Sequence, residues 1–129
     1  VKSPELGAEP VSLYWGLPAD LLTRIVVKGE KNKAWKLELV SGKGAVGVAQ
    51  VRPLTVCQKQ KACNAKGPWD QSLLDKIHER LRLEWRYNLC WAGRIMADNW
   101  WACLGQSMCA SMLYNGGDWS LAYARRVEE

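Results

Sequence analysis

The stretch Ser41-Gly42-Lys43-Gly44-Ala45-Val46-Gly47-Val48-Ala49-Gln50-Val51-Arg52-Pro53-Leu54-Thr55 decides how this chain is read. Ser41 to Gly44 is turn sequence, and residues 45–51 form an apolar run suited to a returning strand or a buried loop. Gly47 permits close approach of backbone to a neighbour, and Gln50 offers both a donor and an acceptor. Immediately upstream, Trp35-Lys36-Leu37-Glu38-Leu39 alternates apolar and polar residues, which predicts a strand over 34–40. The two segments together predict a small β-hairpin.

Outward from that hairpin the pattern turns helical. Leu17-Pro18-Ala19-Asp20 reads as a helix start, and Leu21, Leu22, Ile25 and Val26 form an apolar stripe that ends near Gly29 and Glu30. On the other side, Gln58 to Pro68 is a polar loop and Asp70 a candidate N-cap. Leu74, Ile77, Leu81, Trp85 and Leu89 recur at helical spacing and give one long helix a single buried face. A further helix is expected from Trp100 to Leu113, stopped by Gly116-Gly117. Asp118 is placed to cap a last helix through Arg126. The first ten residues read as a loose arm. The expected fold is α+β, mainly α: a single domain with a small β-hairpin beside its cleft.

Three segments, taken in order, resemble the soluble lytic transglycosylase family of the lysozyme-like superfamily. Gly47-Val48-Ala49-Gln50 stands where that family has Gly-Leu-Met-Gln, with Ser41 and Gly44-Ala45 ahead of it and Pro53 and Thr55 behind. Ala110-Ser111-Met112-Leu113-Tyr114-Asn115-Gly116 resembles the family's Ala-x-x-Tyr-Asn-x-Gly, and Tyr123-Ala124-Arg125-Arg126-Val127 its closing Tyr-Ala-x-x-Val. Asn88-Leu89 with Ala92-Gly93 loosely matches a further helix. The resemblance spans about residues 17–127 and implies a lysozyme-like fold.

The family places its catalytic Glu at the end of a helix upstream of the Gly-x-x-Gln segment, a position that Glu30 fills. Such an acid must be protonated near neutral pH, which burial in an apolar pocket achieves. Two departures stand out. Lys31 follows Glu30 where the family has Ser, and Lys28, Lys33 and Lys36 lie close in sequence, where ammonium groups would lower the acid's pKa unless they face solvent. Glu38 is the rival acid. The resemblance implies Glu30 as catalytic residue, with Ser41, Gly47, Val48, Gln50, Tyr114 and Asn115 as substrate-binding residues.

The activity so implied is cleavage of the β-1,4 bond between N-acetylmuramic acid and N-acetylglucosamine in bacterial peptidoglycan. The family's lytic members dispense with a second carboxylate and release 1,6-anhydro sugars; a hydrolytic muramidase needs one. Glu38, Asp20 and Asp70 are the acids available for that role. A non-catalytic peptidoglycan-binding module is the alternative of a different class.

Composition narrows the partners. The chain has 129 residues, a net charge of +5, eight Trp, four Tyr and no Phe. Most of the Trp are expected in the core, the remainder being suited to stacking on sugars. The first 66 residues hold eleven of the 18 basic side chains and five of the 13 acidic ones, a basic half that suits a polyanionic envelope. No Arg-rich helix or base-stacking signature points to nucleic acid. No run is apolar enough to span a membrane, and Val1 to Glu5 lacks the apolar core of a secretory leader. Action in the periplasm or cell wall would then require delivery by a phage particle, a lysis system or secretion machinery, whose proteins are further candidate partners.

Cys57 and Cys63 could close a small loop, whereas Cys90, Cys103 and Cys109 fall in apolar helical sequence as buried thiols. With one His, His78, and no Cys-x-x-Cys, no metal site is expected, and neither is a cofactor.

Overall fold

The computed structural model describes residues 3–114 and 120–129. Within them the chain forms seven α-helices: α1 Pro4–Tyr14, α2 Leu21–Arg24, α3 Pro53–Lys59, α4 Gln71–Leu83, α5 Trp85–Ala102, α6 Ser107–Tyr114 and α7 Leu121–Glu128. None is long and apolar enough to cross a membrane. The long α5 is central: α1, α4 and α6 pack on it, and α7 closes over α6 and the segment that follows α2.

The expected loose arm is instead α1. Ser3 caps it by accepting from the Leu6 N–H at 3.4 Å. Its buried Gly7 and Ala8 let it lie close on α5. The close approach is mutual, because a Cβ on Gly93 of α5 would sit 2.4 Å from Trp15 Cδ1. The α1 helix also starts the next one. The buried Ser12 hydroxyl accepts from the Leu22 N–H at 3.2 Å, satisfying a donor that α2 leaves free at its first turn. Asp20 makes no side-chain cap and pairs instead with Arg24. The stripe Leu21, Leu22, Ile25 and Val26 is fully buried, as its spacing requires.

No β-hairpin forms, and this corrects the α+β expectation. Among the described residues there are only isolated bridges, Val40 with Val46 and Val46 with Val51. The backbone turns too often for a ladder: Trp35, Gly44, Gly47 and Gln50 all have positive φ. Alternation at 35–39 therefore belongs to a string of turns. Val46 and Val51 exchange both backbone hydrogen bonds at 2.9 Å, so Gly47 to Gln50 is a tight loop tip.

Asp70 caps α4 by accepting from Leu73 N–H at 3.2 Å. The single long helix expected beyond it is broken at Glu84, which is extended (φ −111°, ψ 93°) and begins α5. Fully buried Asn88 exploits the break, donating to the Leu81 carbonyl at 3.1 Å that α4 leaves unpaired at its end.

The helix expected over 100–113 is likewise two helices, α5 and α6, joined by a turn in which Leu104 and Gly105 have positive φ. A disulfide joins Cys103 to Cys109, with Cα atoms 5.7 Å apart. Residues six apart in a continuous helix would be separated by a rise of about 9 Å, beyond disulfide reach. Cys57 and Cys63 do close their loop, and Cys90 is the free, exposed thiol.

Of the seven Trp described, none is fully buried. Trp15, Trp35, Trp85, Trp91 and Trp100 pack half-buried against the core, while Trp69 and Trp101 are exposed. The centre itself is aliphatic, built from Leu21, Leu22, Ile25, Leu81, Leu89 and Met96 around Tyr123. Gly116-Gly117, Asp118 and Asn115 lie outside the described residues. The described cap of α7 is Ser120, which accepts from Tyr123 N–H at 3.1 Å.

Candidate active site

After α2 the helix widens. Ile25–Gly29 is a π-helical turn, closed by the Glu30 N–H donating to the Ile25 carbonyl at 2.8 Å. One extra residue in a turn redirects everything after it by about 100° relative to an α-helix. Here it brings Glu30 to the wall of a cleft of about 530 Å³. Gly29 is part of the device, since a Cβ there would lie 2.7 Å from the Tyr123 ring and hydroxyl. With no Cβ in the way, the buried Tyr123 hydroxyl reaches Glu30 and donates to its Oε2.

Burial drives the Glu30 carboxyl up from the usual range to about 7, against the lowering effects of the Tyr123 hydrogen bond and then of the Arg126 charge. Desolvation wins because the ionised form loses more water than one hydroxyl and one offset cation restore. Arg126 is held in place by its bond to the Gly29 carbonyl at 3.0 Å. The neighbouring lysines turn away: Lys31, Lys33 and Lys36 are exposed, and Lys28 is half-buried. Burial also raises the pKa of the Tyr123 and Tyr114 hydroxyls, and the nearby Glu30 charge adds to the effect.

The chain between Glu30 and the loop tip is fixed by two buried amides. Asn32 donates to the carbonyls of Lys36 and Val48 at 3.0 and 3.1 Å, and accepts from the Lys36 N–H at 2.9 Å. Asn88 accepts from Ala49 N–H at 3.0 Å and donates to the Val46 carbonyl at 2.8 Å. Tyr114 donates to the Ala49 carbonyl at 2.8 Å. Both backbone groups of Ala49 are thereby occupied, and α5 and α6 are tied to the same loop tip.

Four of the residues expected at the site, Glu30, Ser41, Gln50 and Tyr114, line this cleft together. The Ser41 hydroxyl accepts from Ala45 N–H at 3.0 Å, closing the turn above it. Gln50 donates to the carbonyls of Leu39 and Gly47 at 3.1 and 2.9 Å, holding its strained backbone (φ +54°). Gly47 and Val48 are buried behind the wall and do not line it. Gly47 has φ +83°, and its missing Cβ leaves room for Asn88, whose Nδ2 would be 2.1 Å away. Val48 is core and supplies the carbonyl that anchors Asn32. Asn115 lies outside the described residues.

Glu38 does not reach the cleft; it is exposed and ion-paired with Arg82. Among the described lining residues Glu30 is the one carboxylate, and Lys43, Arg52 and Lys59 are the cations. Thr55, Ile95, Asn99 and Leu113 are among the other residues that line it.

Sequence reasoning missed the roles of Tyr123, Arg126 and Asn32. The available signal for Tyr123 was Gly29, a glycine directly before a candidate acid, which marks a close approach. No family model, curated protein or solved structure matches this chain.

Proposed function

We propose that this protein cleaves the β-1,4 bond between N-acetylmuramic acid and N-acetylglucosamine in bacterial peptidoglycan, with Glu30 as general acid and then general base. The observation that carries the proposal is a cleft whose single described carboxylate is held protonated up to a pH of about 7. Glu30 gives its proton to the glycosidic oxygen as the bond to C1 breaks, and the acetamide of the muramic acid stabilises the cation. Glu30 then takes the proton of the 6-hydroxyl as that oxygen attacks C1, which closes the 1,6-anhydro ring and returns the acid to its starting form.

The absence of a second carboxylate among the described lining residues supports this substrate-assisted course over hydrolysis. The resemblance of Ser41–Thr55 and of residues 110–116 to lytic transglycosylases supports the same choice. Lys43 and Arg52 suit an anionic envelope polymer. Such an enzyme acts in the periplasm or cell wall, and a phage particle, a lysis system or secretion machinery would bring it there.

The test is mass spectrometry of purified peptidoglycan digested by the wild type and by Glu30→Gln. Anhydro-muropeptides from the wild type alone are expected. Reducing-end products would replace this chemistry with hydrolysis, and no soluble product from folded protein would replace it with a binding module.

A further inference from the structure

Two of the cleft's cations have a second neighbour. Lys43 and Arg52 also line an adjoining pocket of about 350 Å³, whose other side includes Trp69, Leu74 and His78. The cleft and this pocket therefore share a wall, and that wall is positive. Neither Lys43 nor Arg52 has an ion-pair partner among the described residues, whereas Lys59, Arg80 and Arg82 are paired with Asp98, Glu84 and Glu79. Both cations line the two spaces and are left open to receive an anion there.

The rest of the pocket is preformed. Trp69 is 40% exposed. Its indole N–H donates to the Asn64 carbonyl at 2.7 Å, which fixes the ring. The Asn64 side chain in turn accepts from Gly67 N–H at 2.6 Å, and the Cys57–Cys63 disulfide closes the loop just ahead of it. The pocket also holds one carboxylate, Asp75, which accepts from Gln71 at 2.9 Å along α4, so its described charged lining is two cations to one anion.

We propose that this pocket is a second subsite that takes an acidic peptide arm branching from the sugar in the cleft, with its carboxylate on Arg52 and Lys43 and its apolar part against Trp69. A substituent on a bound sugar can enter the pocket without leaving the cleft, because the two spaces meet at those cations. A guanidinium and an ammonium recognise a carboxylate through charge-assisted hydrogen bonds. The aromatic face adds contact area with little loss of side-chain freedom. The inference rests on the glycan-cleaving reading for the identity of the arm, and on the pocket alone for its charge.

The probe is soluble N-acetylmuramyl-L-alanyl-D-glutamate, compared with its fully amidated form. Binding is followed by backbone and indole NMR shifts of the wild type and of the double variant Lys43→Gln, Arg52→Gln. The carboxylate form should bind the wild type about tenfold more tightly than the amide, with the Trp69 indole signal shifting, and the double variant should lose that preference. Equal binding of the two forms, no binding, a retained preference in the folded double variant, or shifts remote from Trp69 would overturn the subsite. If the double variant fails to fold, the wild-type comparison and the Trp69 shift decide alone. Cleavage by the wild type without the preference overturns only the subsite; the preference without any cleavage overturns only the proposed chemistry.

Discussion

Glu30 couples chemistry to stability. Raising a carboxyl from 4.5 to about 7 means that the native state keeps a proton which the unfolded chain has released anywhere between those values. The contribution of Glu30 to stability is therefore fully present below about pH 4.5, falls as pH rises through that window and is lost above about 7. The full shift corresponds to roughly 3 kcal/mol, reduced to about 2 kcal/mol because the group is only partly buried. Gln has nothing to ionise, so Glu30→Gln should unfold at a higher temperature than the wild type near pH 8 and at a similar one near pH 4. Thermal unfolding at both pH values checks this, and an equal difference at each would contradict it. Glu30 was singled out in the sequence by its place ahead of three resembling segments, and it lines the cleft. Its hydrogen-bond partner was not legible, since Tyr123 is 93 residues away and no local period encodes that pairing.

At the scale of elements, the π-helical turn, the loop tip and the α4–α5 break act together, and Asn88 is their common point. Its amide serves Val46, Leu81 and Ala49, all through buried bonds. Asn88→Ala would leave the buried Ala49 N–H and Leu81 carbonyl unpaired and strip the Val46 carbonyl of one of its two bonds, and should cost about 3 kcal/mol, measurable by denaturant unfolding. It should also lower cleavage more than the stability loss explains, because Ala49 would lose one of its two ties and loosen the wall beside Tyr114. A loss under about 1 kcal/mol would contradict this role. The apolar stripe from Leu74 to Leu89 was legible and is real as a buried surface. The break at Glu84 was hidden because the stripe's spacing continues across it. The missing hairpin has the opposite cause: strand-like alternation at 35–39 was visible, while Trp35 and Gln50, neither of them glycine, take the positive φ that bends the chain.

At the scale of the whole molecule, the seven helices of the described residues carry a partly exposed set of Trp, and two short disulfide loops add local restraints after α3 and between α5 and α6. Each loop closes over six residues of separation and is worth about 2 kcal/mol on a chain-entropy account. Cys103→Ser with Cys109→Ser should lower stability by that amount and loosen the α5–α6 turn, read by thermal unfolding with and without reductant; no change would contradict it. The first pair was legible because polar sequence surrounds it. The second sits in an apolar run that looks like uninterrupted helix, so its spacing carried no signal. Positive charge in the first half was equally legible, and part of it, Lys43, Arg52 and Lys59, lines the same cleft as Glu30.

The most direct test of the account is the rate of glycan-strand cleavage as a function of pH, for the wild type and Glu30→Gln. The wild-type rate should fall as pH rises through about 7, because the acid that donates the proton is lost there, and Glu30→Gln should show no cleavage at any pH. A wild-type rate that holds or rises above that pH, or cleavage retained by Glu30→Gln, would contradict the assignment.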